Sequence, residues 1–121
     1  MDLATQYLLQ QIVRKPEFIN NGNGVTSNST IKIGGLLIQI GTIFETTNAS
    51  GIFTFNYPSP FPNRTELLLG QALLAIGDPI IVSPVATSIT ASQGVFNAQY
   101  TINGTAAANI NFGISWIALG T

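Results

Sequence analysis

The chain has 121 residues, room for one domain with a short appended segment, and 45% of them are apolar, enough for a core. Only 7% are charged, against about 25% in an ordinary soluble domain. The net charge is −1, and the four basic residues, Arg14, Lys15, Lys32 and Arg64, are too few for the phosphate contacts of nucleic-acid binding. Histidine and cysteine are absent, which excludes Ser-His-Asp and Cys-His catalysis, thiolate metal sites and disulfides. No metal and no cofactor is expected. The polar surface must come from Asn, Thr, Ser, Gln and Gly, and so low a charge favours a surface covered in part by partner subunits.

Residues 2–15 carry Ala4, Leu8 and Ile12 at steps of four, with Leu9 and Val13 beside them. This pattern predicts a short amphipathic helix, with Asp2 as N-cap and Pro16 forcing its end. It serves either as a helix packed on its own domain or as one strand of an oligomeric neck. No basic stretch precedes its apolar part, so it does not read as a standard signal peptide. No apolar run approaches the roughly 18 residues of a membrane span, and no membrane insertion is expected. The stretch "NNGNGVTSNST" (20–30) has the composition of a flexible linker. A division at residue 31 follows, with helix and linker in 1–30 and the folded domain in 31–121.

From residue 31 the period becomes two. Phe53, Phe55 and Tyr57 alternate with Ile52, Thr54 and Asn56; Phe96, Ala98, Tyr100 and Ile102 with Asn97, Gln99 and Thr101; Ile110, Phe112, Ile114 and Trp116 with Asn109, Asn111, Gly113 and Ser115. Such alternation marks half-buried antiparallel strands. "LLIQI" and "ELLLGQALLAI" are apolar on both faces and must be covered on both sides. Six strands are predicted, at 31–44, 52–57, 67–76, 80–90, 95–102 and 108–119. The fold class is all-β, an antiparallel six-stranded β-sandwich. Phe53, Phe55, Phe96, Phe112, Ile114 and Trp116 are its expected core. Gly34-Gly35 falls inside the first strand, where it marks a bulge or a close approach of backbones at a symmetry axis.

Chemistry is harder to find. A glycosidase needs a placed carboxylate pair, and the spacing of Glu45, Glu66 and Asp78 singles out none. The "GNG" at 22–24 has no strand before it or helix after it and is not a phosphate loop. Asn28, Asn48, Asn63 and Asn103 each open an Asn-x-Ser/Thr triplet. All fall in predicted turns or linker and read as turn chemistry, not as glycan acceptors.

"GGLLIQIGT" (34–42), "FTFNYPSPFPN" (53–63) and the closing "FGISWIALGT" (112–121) resemble the C-terminal tip domain of bacteriophage tail fibres. That family opens on Gly-Leu-Leu-Ile-Gln-aromatic-Gly, continues with a Phe-Pro-x-aromatic-Pro-Asn turn and closes in an aromatic-x-Trp-Ile-Ala-Ile-Gly strand. The resemblance covers residues 31–121. One departure is Ile40, where the family has Trp, expected to be an exchange of one buried apolar residue for another. The resemblance implies a homotrimeric β-sandwich, similar to H-type lectin trimers, at the distal end of a virion's tail fibre. It implies partners in the rest of the fibre and in a bacterial surface polysaccharide or outer-membrane protein, bound without catalysis for host attachment. The strand carrying Trp116 would be central, closing the domain and the fibre. Residues 31–44 would lie near the threefold axis.

Strand parity then locates the contact surface. If the fibre shaft lies on the N-terminal side, the first strand runs outward and successive strands alternate. The turns 45–51, 77–79 and 103–106 then face away from the shaft, and "YPSPFPNR" and "ASQG" face back. The candidate ligand-binding residues are Thr47, Asn48, Ser50, Asp78, Asn103 and Thr105, whose hydroxyls, amides and carboxylate suit sugar hydroxyls.

Overall fold

A computed structural model describes residues 2–6, 17–20, 27–73 and 78–121, with the backbone alone for 17–20 and Ser27. Its described residues form eight strands: β1 (Glu17–Asn20), β2 (Ser27–Ile33), β3 (Leu36–Thr46), β4 (Ile52–Asn56), β5 (Thr65–Leu73), β6 (Ile80–Pro84), β7 (Gln93–Tyr100) and β8 (Asn111–Gly120). They make two sheets, β1-β2-β3-β8-β5 and β4-β7-β6, with every pairing antiparallel. The all-β, two-sheet expectation holds, but the strand count differs.

The difference begins at Gly34-Gly35. The apolar run around them reads as one strand, yet Ile33 pairs with Leu36 and the chain reverses between them. Gly34 takes a φ of 60°, which suits the first central residue of a tight II′ hairpin and which a Cβ would strain. The glycine pair is not a bulge inside one strand; it is the turn that separates β2 from β3. Residues 27–30, expected as the end of a linker, belong to β2. Their Ser, Asn and Thr side chains look like linker by composition, but β3 supplies a backbone ladder along the whole of β2. Residues 17–20 pair in the same sheet, so a boundary at residue 31 would cut through a strand. The strand expected over 80–90 ends at Pro84, on the edge of the smaller sheet, with one further bond from the Val85 N–H to the Val95 carbonyl at 2.9 Å. The Ser88 N–H then bonds the Val85 carbonyl at 2.9 Å in a turn.

At the N-terminus, residues 3–6 form a helical turn. The Thr5 N–H donates to Asp2 Oδ1 at 2.7 Å, the N-cap expected there. That bond holds the exposed Asp2 carboxyl below its usual range. The rest of the expected helix, residues 7–15 with Pro16, lies outside the described residues, as do linker residues 21–26.

The core lies between the sheets. Phe53 and Phe55 enter from β4, Phe96 and Ala98 from β7, Leu68 from β5, and Phe112, Ile114, Trp116 and Ala118 from β8. All six residues expected in the core are buried. The Trp116 ring lies 5.0 Å from Phe55 and 5.9 Å from Tyr57, centroid to centroid. Its neighbours in register on either side are Gly41 and Gly70. A Cβ on Gly70 would sit 2.5 Å from Phe96 Cζ, so the rings need that glycine. Ile40 corrects an expectation, because it lies on the opposite, outer face of β3 and is exposed. Gln39 next to it points inward, fully buried, and both ends of its amide are used. Its Nε2 donates to the Ser59 carbonyl at 2.5 Å and its Oε1 accepts from the Ser59 N–H at 3.1 Å.

Trp116→Ala is expected to cost about 3–5 kcal/mol, the usual range for emptying a large aromatic site. Denaturant unfolding with an unchanged midpoint would show the indole to be peripheral.

Candidate functional site

The registers fix which loops share an end of the sandwich. Thr46 pairs with Asn111, and Leu73 with Gly113, so β3 and β5 both finish where β8 starts. In the smaller sheet Ile52 pairs with Asn97, and Ile80 with Tyr100. Three backbone bonds tie these segments together: Asn109 N–H to Asn48 O at 3.1 Å, Ala98 N–H to Gly51 O at 2.8 Å, and Thr101 N–H to Pro79 O at 2.9 Å. The turns at 45–51, 78–79 and 101–110 therefore gather at one end. The loops at 57–64 and 85–92 gather at the other, where the Phe61 N–H donates to Ala91 O at 2.8 Å. Glu17, at the start of β1, pairs with Lys32, close to the hairpin turn and therefore also at that second end. The grouping of turns expected from parity is the grouping observed. β1 and β2 were not anticipated, but two added strands leave the alternation unchanged.

Within the first end the six candidate residues divide. Thr47 is 2% exposed. Its Oγ1 donates to the Ala107 carbonyl at 2.5 Å and accepts from the Ile110 N–H at 3.1 Å. Its hydroxyl pins the end of β3 to the 107–110 segment and leaves no face for a ligand. Asn48 and Ser50 are exposed. Asn48 Oδ1 accepts from the N–H groups of Ser50 at 2.8 Å and Ile52 at 3.0 Å, an Asx turn. Asn103 does the same on the neighbouring loop, where its Oδ1 accepts from Thr105 N–H at 3.1 Å and Thr105 Oγ1 at 2.8 Å. In both turns the carbonyl oxygen is spent locally, and the turn does not use the amide NH2 group. Asp78 is exposed beside Pro79; residues 74–77 before it lie outside the described residues.

Sequence reasoning missed Ile102. Alternation counted it among the inward residues of β7, but the strand stops at Tyr100, whose carbonyl accepts from the Gly104 N–H at 2.9 Å. Ile102 consequently stands 69% exposed in the same loop as Asn103. The Asn103-Gly104 pair was the signal, since such a dipeptide ends a strand in a turn. Of the three carboxylates considered, Glu66 is engaged by Arg64 at 2.6 Å. Among the described residues no group of three His, Cys, Asp or Glu side chains is placed to hold a metal ion. No helix among them is long and apolar enough to cross a membrane.

Thr47→Val should leave the Ile110 N–H and the Ala107 carbonyl short of a partner, at a cost of about 1–3 kcal/mol. Ser50→Ala, its exposed neighbour, should leave the melting temperature nearly unchanged. Equal melts for the two variants would contradict the structural role of Thr47.

No known protein-family profile matches the chain, and no curated protein matches it in sequence. Solved structures do match. An N-truncated R1-type pyocin tail fibre superposes with a TM-score of 0.57 at 16% identity, over 100% of this chain and 98% of that one. C-terminal fragments of the P. aeruginosa R2 and R1 pyocin fibres superpose with TM-scores of 0.58 at 16% and 17% identity. Those matches cover 88% of this chain and 26% and 29% of the fragments, so the chain spans under a third of the longer fibre pieces. The fold of this chain, two antiparallel sheets with the Trp116 strand inside the larger one, is similar to the fold of these pyocin tail-fibre structures.

Proposed function

We propose that this domain is the receptor-binding tip of a tail fibre in a virion or phage-tail-like particle. It works as a homotrimer joined to the rest of the fibre, and it attaches to a bacterial surface polysaccharide or outer-membrane protein without catalysis. The observation that carries this reading is the gathering of three polar turns at the end of the sandwich opposite the start of β1. A fibre that delivers the chain at one end leaves the other to meet a cell.

The contact set is Asn48, Ser50, Asp78, Asn103 and Thr105, all exposed, with Ile102 as an apolar element among them and Thr47 left out as buried. These groups offer amide NH2 donors, hydroxyls and one carboxylate, a set that fits sugar hydroxyls. The turns contain no aromatic platform, so single-site affinity is weak and is raised by three copies acting together. A lectin-like mode of attachment follows from the same chemistry.

Asp78→Ala and Asn103→Ala should each reduce binding of labelled protein to host cells and leave the melting temperature nearly unchanged. If substitutions at Asn63 and Arg64 abolish binding while these two do not, the opposite end is the contact surface. Incubation with host polysaccharide should generate no new reducing ends; their appearance would assign hydrolysis to the domain.

A further inference from the structure

Asn48 and Asn103 build the same kind of turn, but the residues that follow them differ. Ala49 follows Asn48, and Gly104 follows Asn103. Among the described residues Asn103 is the only asparagine with glycine after it. Both members of the Asn103-Gly104 pair are exposed. Gly104 has a φ of 70°, and a Cβ built on it would meet nothing within 4 Å. Nothing shields the Gly104 nitrogen from the side that a Cβ would occupy.

The Asn103 side chain is folded toward that nitrogen. Its Oδ1 accepts from the Thr105 N–H at 3.1 Å and from Thr105 Oγ1 at 2.8 Å. The ring closed by the first bond runs through Asn103 Cγ and through the Gly104 nitrogen, which keeps the amide carbon on that nitrogen's side. The same two donors polarise the amide carbonyl, and they stand where negative charge would develop on Oδ1 under attack at Cγ. Donors fixed on a developing oxyanion lower the barrier to attack on a carbonyl. Asn48 Oδ1 is held in a similar way, by the N–H groups of Ser50 and Ile52. Its next nitrogen belongs to Ala49, however, whose Cβ crowds the approach that a glycine leaves free.

We infer that Asn103 is a site of spontaneous deamidation. The Gly104 nitrogen loses its proton to hydroxide and attacks Asn103 Cγ. The bond from Cγ to Nδ2 breaks, the side-chain nitrogen takes up a proton and leaves as ammonia, and a succinimide remains. Water then opens the ring at one carbonyl to give aspartate, or at the other to give isoaspartate. The sum is amide plus water to acid plus ammonia, with no oxidant or reductant. The Gly104 N–H donates to the Tyr100 carbonyl at 2.9 Å, and that bond must open first. It closes an exposed turn, and such bonds open locally without unfolding the sheet. The product carries a carboxylate where the turn presented an NH2 donor, next to the exposed Ile102. On a chain whose net charge is −1, one more negative charge changes the character of that whole end. Isoaspartate also adds a methylene to the backbone of the turn.

The test is mass spectrometry of the folded protein, aged for weeks at neutral pH and then cut with trypsin. The chain has no Lys or Arg after Arg64, so residues 65–121 leave as one peptide, apart from the Asn-Gly pairs at 21–22 and 23–24. Fragmentation of that peptide should place the amide-to-acid mass shift at Asn103 and not at Asn97, Asn109 or Asn111. The peptide 33–64 should keep the Asn48 amide over the same time. Thr105→Val keeps the backbone donor and removes the hydroxyl, and should slow the conversion several-fold. Gly104→Ala should stop it. The comparison of Asn103 with Asn48 is made in the wild-type protein and does not depend on any variant folding. An Asn103 that keeps its amide, equal conversion at Asn48 and Asn103, or a rate indifferent to Thr105→Val would overturn the inference. Cell binding does not enter the measurement, so the result stands apart from the proposed receptor.

Discussion

The structure depends on a strand that two others wait for. β8 is paired along both edges, with β3 on one side and β5 on the other, and its inward side chains supply four of the twelve residues of the buried core. β3 and β5 make no ladder with each other, so without residues 111–120 the larger sheet is two separate pieces. Paired on both edges and covered by the smaller sheet, β8 can carry Trp116 without exposing it. Over residues 111–116 its alternation of Phe, Ile and Trp with Asn, Gly and Ser is the sequence expression of that position.

The three stretches that carry the family resemblance are far apart in the chain and meet in space. Gln39 closes both ends of its amide on Ser59. The N–H groups of Asn63 and Arg64 donate to the Thr121 carbonyl at 2.6 and 3.0 Å, and the Thr121 N–H returns a bond to Arg64 O at 3.1 Å. Phe61 packs where a side chain on Gly120 would stand. The proline-rich loop is thus held from one side by β3 and from the other by the end of β8, with Tyr57 and Phe61 inside it, 5.1 Å apart between ring centroids. Tyr57 is pushed to a higher pKa by its burial there. A fully buried glutamine would be costly unless satisfied, and the backbone of Ser59 satisfies it.

Much of this was legible in the sequence and some was not, for identifiable reasons. The β4, β7 and β8 patterns have clean period-two alternation because each has one face on the core, so strand, face and core residues could be read together. The β2–β3 hairpin could not, because Ile and Leu on both sides of Gly34-Gly35 hide the reversal and only the backbone reveals it. β1 and the start of β2 were missed because strands that borrow their stability from a neighbour need little apolar character of their own. At the proposed site, the end of the sandwich was legible from parity, which counts strands and ignores their partners. The exposure of individual residues was not, since Thr47 and Asn48 are adjacent, both polar and both in a predicted turn. What separates them is the 107–110 segment, some 60 residues later, which buries one and not the other.

The two ends of the sandwich also set how the domain bears force. The start of β1 and the loops at 57–64 lie at one end, and the three turns at the other. A pull applied between those ends runs parallel to the strands. Hydrogen bonds in antiparallel ladders lie across the strands, so such a pull loads the bonds of a ladder in shear, all at once. Peeling would instead open them one pair at a time. Along β3, β8 and β5 the ladders extend for nearly the full height of the sheet, which makes the long axis the mechanically stiff direction. A domain tethered at one end and gripped at the other would resist tension in the one direction along which it is applied.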